Sequence, residues 1–335
     1  MLFVSVMKQS AAERPDPSLL RKAAIATGRA MDHAGRVLVK PIPGFTLKGT
    51  IFDTLEGAAA RFVMKTRIGK EPHWHATEAD AVERSYAKAR EDHPLPEVDP
   101  ALIRFLIDEC DFDVEHAEGS FLDHLYFCFE YSVHHYPQHS PVVSLLHSIL
   151  GTGTNTFAME AKKIPALKEH LTDFEWRHIE AFPSVLRLLY DLPLRRELRE
   201  NAHRIDRLER VDFRRVIDNE PISMSGEDFV IQLNYQLIHL IDFLPAANWA
   251  THANDTAFIL FRDLYDLMKS TGMLQADVGY VPPGRLRTLK GEKPSLRALL
   301  PTLIPVPLSE RMASKSVRTF SERIGHDMSY RLTWR

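Results

Sequence analysis

Two cysteines in 335 residues are too few for a disulfide framework. Cys110 and Cys128 lie among helix-forming residues, so both are expected as buried thiols in a reducing compartment. No run of about 18 consecutive apolar residues occurs, which excludes a hydrophobic bilayer-spanning helix. The opening Met1–Met7 stretch is apolar but short and lacks a basic flank, so it does not read as a secretory leader, and a cytoplasmic protein is expected. Signatures of common chemistries are missing as well. Gly151-Thr-Gly-Thr-Asn-Thr follows a helical stretch and has no Gly-Lys-Ser/Thr ending, so it is not a phosphate loop. There is no Gly-x-Ser-x-Gly elbow, and neither cysteine carries a nucleophile signature. With 42 Lys and Arg against 45 Asp and Glu, no strong excess of either sign marks a polyanion-binding or acidic protein.

What remains is an ordinary globular composition, 44% hydrophobic and 26% charged, of a length that suits about two domains. Residues 1–98 read as a mostly helical N-terminal region, with helices over 17–35, 56–64 and 76–91, ending at the Pro-rich run 92–100. Residues 99–275 read as an all-α domain. Apolar spacing and caps predict helices at 101–109, 120–136, 141–150, 172–190, 226–244 and 255–270, with no hairpin signal between them. Residues 276–335 form a Pro-containing C-terminal arm, and its last 55 residues hold eleven Lys or Arg against four Asp or Glu. Those charges are scattered among prolines and leucines without interleaved aromatics, which argues against a nucleic-acid surface.

Three polar residues fall on apolar helix faces. His124 shares its stripe with Phe121, Cys128 and Tyr131; His147 shares one with Val143 and Leu150; Asn234 shares one with Val230, Leu237, Ile238 and Ile241. A buried amide without a partner costs roughly 2–7 kcal/mol, so Asn234 must find one. Such groups suit a buried site, and equally a satisfied core network.

The stretches Val114-Glu-His-Ala-Glu-Gly-Ser-Phe-Leu-Asp-His-Leu and Ser144-Leu-Leu-His-Ser-Ile-Leu-Gly-Thr resemble motifs of an uncharacterised helical family within the HD-domain-like superfamily of metal-dependent phosphohydrolases and oxygenases. The resemblance covers about residues 100–245. It implies an HD-domain-like helical bundle in which His124 and His147 are metal ligands and catalytic groups, while Asn234 takes the place of a distant Asp. Ser148 stands where the superfamily has a metal-bridging Asp, so a two-metal centre is not expected. His116, or one of His170, His178 and His203, would complete a mononuclear site for Fe, Mn or Zn. Asp123 or Glu130 would orient the ligands, and Asn234, Ser148 and Thr152 would face a small-molecule substrate. The implied activity is that of a hydrolase or oxygenase; the alternative is a non-catalytic helical interaction protein that has lost the metal site. The sequence does not fix the oligomeric state.

Other histidine patterns are set aside. Glu175/His178 and Glu200/His203 have the Glu-x-x-His spacing of di-iron bundles, but lie too close together across Pro183 and Pro193 and read as solvated faces. His134, His135 and His139 surround a helix end at Pro137, and His73 and His75 read as loop.

Overall fold

A computed structural model describes residues 94–110, 115–116, 119–151, 159–241, 256–278 and 303–335, with isolated residues 58 and 91. The helices expected before residue 92, the His73/His75 pair and Thr152 lie outside the described residues, as do the side chains of His116 and Asp123. The described part is mostly helical, with one small antiparallel sheet of three strands.

The helical elements are α1 (Pro100–Glu109), α2 (Phe121–His135), α3 (Val142–Leu146), α4 (Ile164–Lys168), α5 (Asp173–Tyr190), α6 (Pro193–Glu200), α7 (Gly226–Ile241), α8 (Thr256–Ser270) and α9 (Val306–Arg323). Strands β1 (Glu115–His116) and β2 (Gly119–Ser120) make a two-residue ladder before α2, and β3 (Leu208–Arg214), β4 (Pro221–Ser225) and β5 (Tyr330–Trp334) form the larger sheet. Local chemistry explains the helix starts. Asp99 accepts from the Ala101 N–H at 2.9 Å ahead of Pro100, and Thr172 and Glu175 form a reciprocal capping box at the head of α5. Ser225 caps α7 by accepting from the Asp228 N–H at 3.1 Å. Gly226 follows because a Cβ there would stand 1.8 Å from the Leu208 carbonyl oxygen: α7 begins in contact with β3. At the far end of α8, Gly272 takes the left-handed conformation (φ +73°) that closes the helix.

The small sheet is an addition to the mostly helical fold that the sequence predicts. Val211 and Phe213 on β3 and Ile222 and Met224 on β4 are buried, while Arg210, Asp212, Ser223 and Arg331 tie the opposite face together through the Asp212 carboxylate. β3 is central, paired with β4 on one side and with the C-terminal β5 on the other. The C-terminal arm is therefore not wholly irregular. Within it α9 docks on α5 and α8: Arg195, buried on α6, reaches both Asp263 of α8 (2.8 Å) and Glu310 of α9 (3.0 Å). Arg187, fully buried on α5, donates to the Ser321 hydroxyl and lies 5.0 Å above the Phe320 ring. Loss of water pushes the Arg187 guanidinium down to about 9.

The core runs through α2, α3, α5 and α7, which pack against one another. α7 is buried on almost every side, from Phe229 to Ile241. A helix in that position has no polar face, so any hydrophilic residue on it must meet a partner inside the protein. No helix among the described residues is long and apolar enough to cross a membrane. Cys110 and Cys128 are both buried.

Candidate metal centre

His124 and His147 do meet. His124 sits in the second turn of α2, and His147 is the residue that ends α3; both are fully buried. Their Nε2 atoms lie 3.0 Å apart. A third imidazole joins them: His239, near the end of α7, places Nδ1 3.1 Å from His124 Nε2 and 2.9 Å from His147 Nε2. The three rings stand steeply to one another, with interplanar angles of 81°, 79° and 67°, so that edges converge on one point. Cys128, one turn after His124, completes a buried group whose candidate ligand atoms all lie within 4.8 Å of one another. The Phe182 ring from α5 covers the triad on one side, 4.6 Å from the His147 ring and 5.4 Å from that of His239.

Hydrogen bonding cannot make all three contacts of this triangle favourable at once. A ring nitrogen is either an N–H or a lone pair, and a hydrogen bond needs one of each. Three atoms of two kinds cannot be pairwise unlike, so at least one of the three contacts joins like with like. The outward nitrogens indicate which kind converges. His147 Nδ1–H donates to the Ser144 carbonyl at 2.6 Å, which leaves a lone pair on Nε2. His124 Nδ1 faces the Cys128 sulfur at 4.0 Å, a contact in which either atom can carry the hydrogen; with the N–H on Nδ1, His124 Nε2 is bare as well. A neutral imidazole held as His147 is presents a lone pair to the common centre, and an outward N–H resting on a carbonyl is the orientation typical of metal-ligating histidine.

The spacing fits a cation. Metal–nitrogen bonds of about 2.05 Å place two ligand atoms about 2.9 Å apart at right angles and about 3.3 Å apart at the tetrahedral angle. The observed 2.9–3.1 Å lies at the right-angled end. Imidazole donors suit Zn and Fe among the divalent ions.

The remaining expected residues have other tasks. Asn234, on α7, uses its whole amide on backbone: Nδ2 donates to the Val230 carbonyl (2.9 Å) and the Met273 carbonyl (3.2 Å), and Oδ1 accepts from the Gln275 and Ala276 N–H groups (2.8 and 3.0 Å). It holds the turn after α8. Ser148 is buried directly after His147. Glu130 is buried with its carboxylate 3.8 Å from His134. His170 lies 3.8 Å from Asp99 near the surface, and His203 is exposed. His178 corrects the expectation of a solvated face: it is fully buried, with Nδ1 2.9 Å from the Gln232 side-chain oxygen, while its partner in the motif, Glu175, serves the capping box. His135 stacks on Tyr131, and His139 stacks on Phe174.

His239 was not singled out by its sequence. On α7 every face is buried, so periodicity gives no reason to prefer it over Asn234, Gln232 or Gln236. The usable signal was its identity as a histidine on the helix assigned to supply the third group.

No family model, curated protein or solved structure matches this chain.

Proposed function

We propose that this chain is a mononuclear metalloprotein in which Nε2 of His124, Nε2 of His147 and Nδ1 of His239 hold one divalent ion, and that it acts on a small molecule as a hydrolase. The observation that carries this is the like-with-like contact forced on three buried nitrogens 2.9–3.1 Å apart, which a core hydrogen-bond network has no reason to assemble. A bound Zn or Fe ion supplies Lewis acidity and brings the pKa of a coordinated water to about 7. The protein's own groups prepare the site. The Ser144 carbonyl fixes the His147 tautomer, Cys128 stands at the outer nitrogen of His124, and Phe182 holds water away from the flank of the triad. The order along the chain, one His on a first helix, a second at the end of the next and a third ligand on a distant helix, supports kinship with the HD-domain-like proteins, with imidazole replacing carboxylate.

Elemental analysis of the purified protein tests the reading: near one equivalent of Zn, Fe or Mn per chain is expected, falling below a tenth of an equivalent, roughly, in His147→Ala. A metal-free protein that takes up none of these ions when they are added, and whose stability ignores chelators, ends it and favours the interaction-protein alternative.

A further inference from the structure

The three-stranded sheet has two edges, and they are built differently. β4, at one edge, opens on Pro221, which has no N–H to offer a further strand, and its last residue leads straight into α7. β5, at the other edge, carries no proline over Tyr330–Trp334. β3 pairs with its inner side, and among the described residues no strand pairs with its outer side. Such an edge presents backbone N–H and C=O groups in a row about 17 Å long, at about 3.4 Å per residue, on which an extended segment can add.

A cleft of about 520 Å³ runs beside that edge. Residues 328–332 line it together with Asp191, Pro193, Glu197 and Arg318, and β3 contributes none, so the cleft lies on the side of β5 away from the rest of the sheet. The pleat decides what faces it. Tyr330 and Trp334 turn towards the helical side: the Tyr330 hydroxyl donates to Glu197 Oε2 at 3.0 Å, and the Arg204 guanidinium lies 5.1 Å from the Trp334 ring. Arg331, between them, turns to Asp212 on the opposite face. The charges around the cleft do not cancel. Asp191 is matched by Arg318 and by the Ser314 hydroxyl at 2.8 Å, and Arg331 is matched by Asp212. Among the described residues the Glu197 carboxylate meets only the Tyr330 phenol, which burial and Glu197 itself keep neutral by raising its pKa. One negative charge is left over.

We propose that β5 accepts a basic extended peptide as a fourth strand, with one Lys or Arg side chain of that peptide set down in the cleft against Glu197. Main-chain hydrogen bonds to the open edge supply the docking. Side chains supply the choice of sequence, because every second residue of an added strand faces the cleft. Apolar residues two positions either side of the cation then cover Tyr330 and Leu332. A second copy of this chain fits less well: aligned so that its apolar face meets the cleft, its own β5 brings Tyr330, Leu332 and Trp334 there and no cation. The proposal does not draw on the metal reading.

The test titrates the isotope-labelled full chain with the blocked peptide acetyl-Val-Thr-Lys-Thr-Val-amide, following the backbone amide signals of Arg331 and Thr333 by NMR. Binding is expected at about 1 mM or tighter. Replacing the peptide's lysine by norleucine, or Glu197→Gln in the protein, weakens it by about fivefold, and both together by no more than either alone. Glu197→Gln keeps an acceptor for Tyr330; should it fail to fold, the norleucine peptide decides. Two further peptides carry N-methyl groups on alternate backbone nitrogens, in opposite phase. One phase removes the donors aimed at β5 and weakens binding by about tenfold or more, while the other faces solvent and changes it little. Equal binding of the two methylated peptides, an affinity unchanged by loss of either charge, or no binding at all overturns the proposal. So does a dimer of the chain that already occupies this edge, seen as Arg331 and Thr333 signals that move on dilution without peptide.

Discussion

Replacing His239 by leucine separates a metal centre from a polar core by the sign of the stability change. Leucine is close to histidine in size and leaves two nitrogens, His124 Nε2 and His147 Nε2, 3.0 Å apart. Two atoms can be unlike, so the pair is free to become one donor and one acceptor, and the forced like-with-like contact disappears. In the metal-free protein that relief is worth about 1 kcal/mol, on the scale of one buried hydrogen-bond contact, and offsets the cavity or strain of the swap, also about 1 kcal/mol. Metal-free His239→Leu is therefore expected to be as stable as wild type. With Zn at about a hundredfold above its dissociation constant, wild type gains about 2.7 kcal/mol. At about 2–4 °C per kcal/mol, this corresponds to a melting shift of about 5–10 °C that the variant lacks. Scanning calorimetry of both proteins, with chelator and with Zn, reads all four states. A variant that loses about 1–3 kcal/mol with chelator present, beside a wild type indifferent to Zn, refutes the reasoning, because His239 would then be an ordinary member of a satisfied network.

Asn234→Ala leaves the Gln275 and Ala276 N–H groups without an acceptor and is expected to lower stability by about 2–4 kcal/mol in urea titrations, with metal content per folded chain unchanged. His326, on the segment between α9 and β5, gives a pH-dependent outcome. Burial pushes it down to about 4, only partly countered by its Nε2–H bond to the Arg214 carbonyl at 3.2 Å. The folded protein thus keeps it neutral where the unfolded chain binds a proton, so its contribution is intact above pH 6.5 and is lost as pH falls towards about 4. The loss is on the order of 3 kcal/mol for a shift of this size, and His326→Asn is expected to flatten the decline of the urea midpoint over that window.

How much of the fold the sequence discloses follows from which signals are local. The helices at 101–109, 172–190 and 255–270 are recovered to within a residue or two because caps and breakers, Asp99, Thr172 and Gly272, act within one turn. The hairpin β3–β4 is missed because its strands alternate apolar residues with charges, Leu208-Glu-Arg-Val-Asp-Phe-Arg, which also suits a helix surface. Its connection has no glycine: Asn219 takes the left-handed turn position (φ +61°) in its place. The strand at Tyr330–Trp334 is fixed by pairing with residues more than a hundred positions earlier, a contact that no local pattern encodes. The helix predicted over 141–150 stops at Leu146, and His147 leaves the helix just where its Nδ1–H turns back to the Ser144 carbonyl.

The site divides in the same way. His124 stands out because α2 carries polar neighbours against which an inward imidazole is conspicuous, His147 because it closes an apolar run, and the motif order names α7 as the third contributor. Within α7 that contrast vanishes. Asn234 and His239, five residues apart, both point into protein, and only the tertiary arrangement separates them: one faces the turn after α8, the other faces α2 and α3. The same loss of contrast hides Gln232 and Gln236. On a half-exposed helix two glutamines in register would mark the solvent side. On a helix buried all round, the identical spacing instead marks a polar seam through the interior, and it is the partner helix that supplies the other half of it: Gln232 meets His178, and Gln236 donates to the Phe182 carbonyl one turn further on.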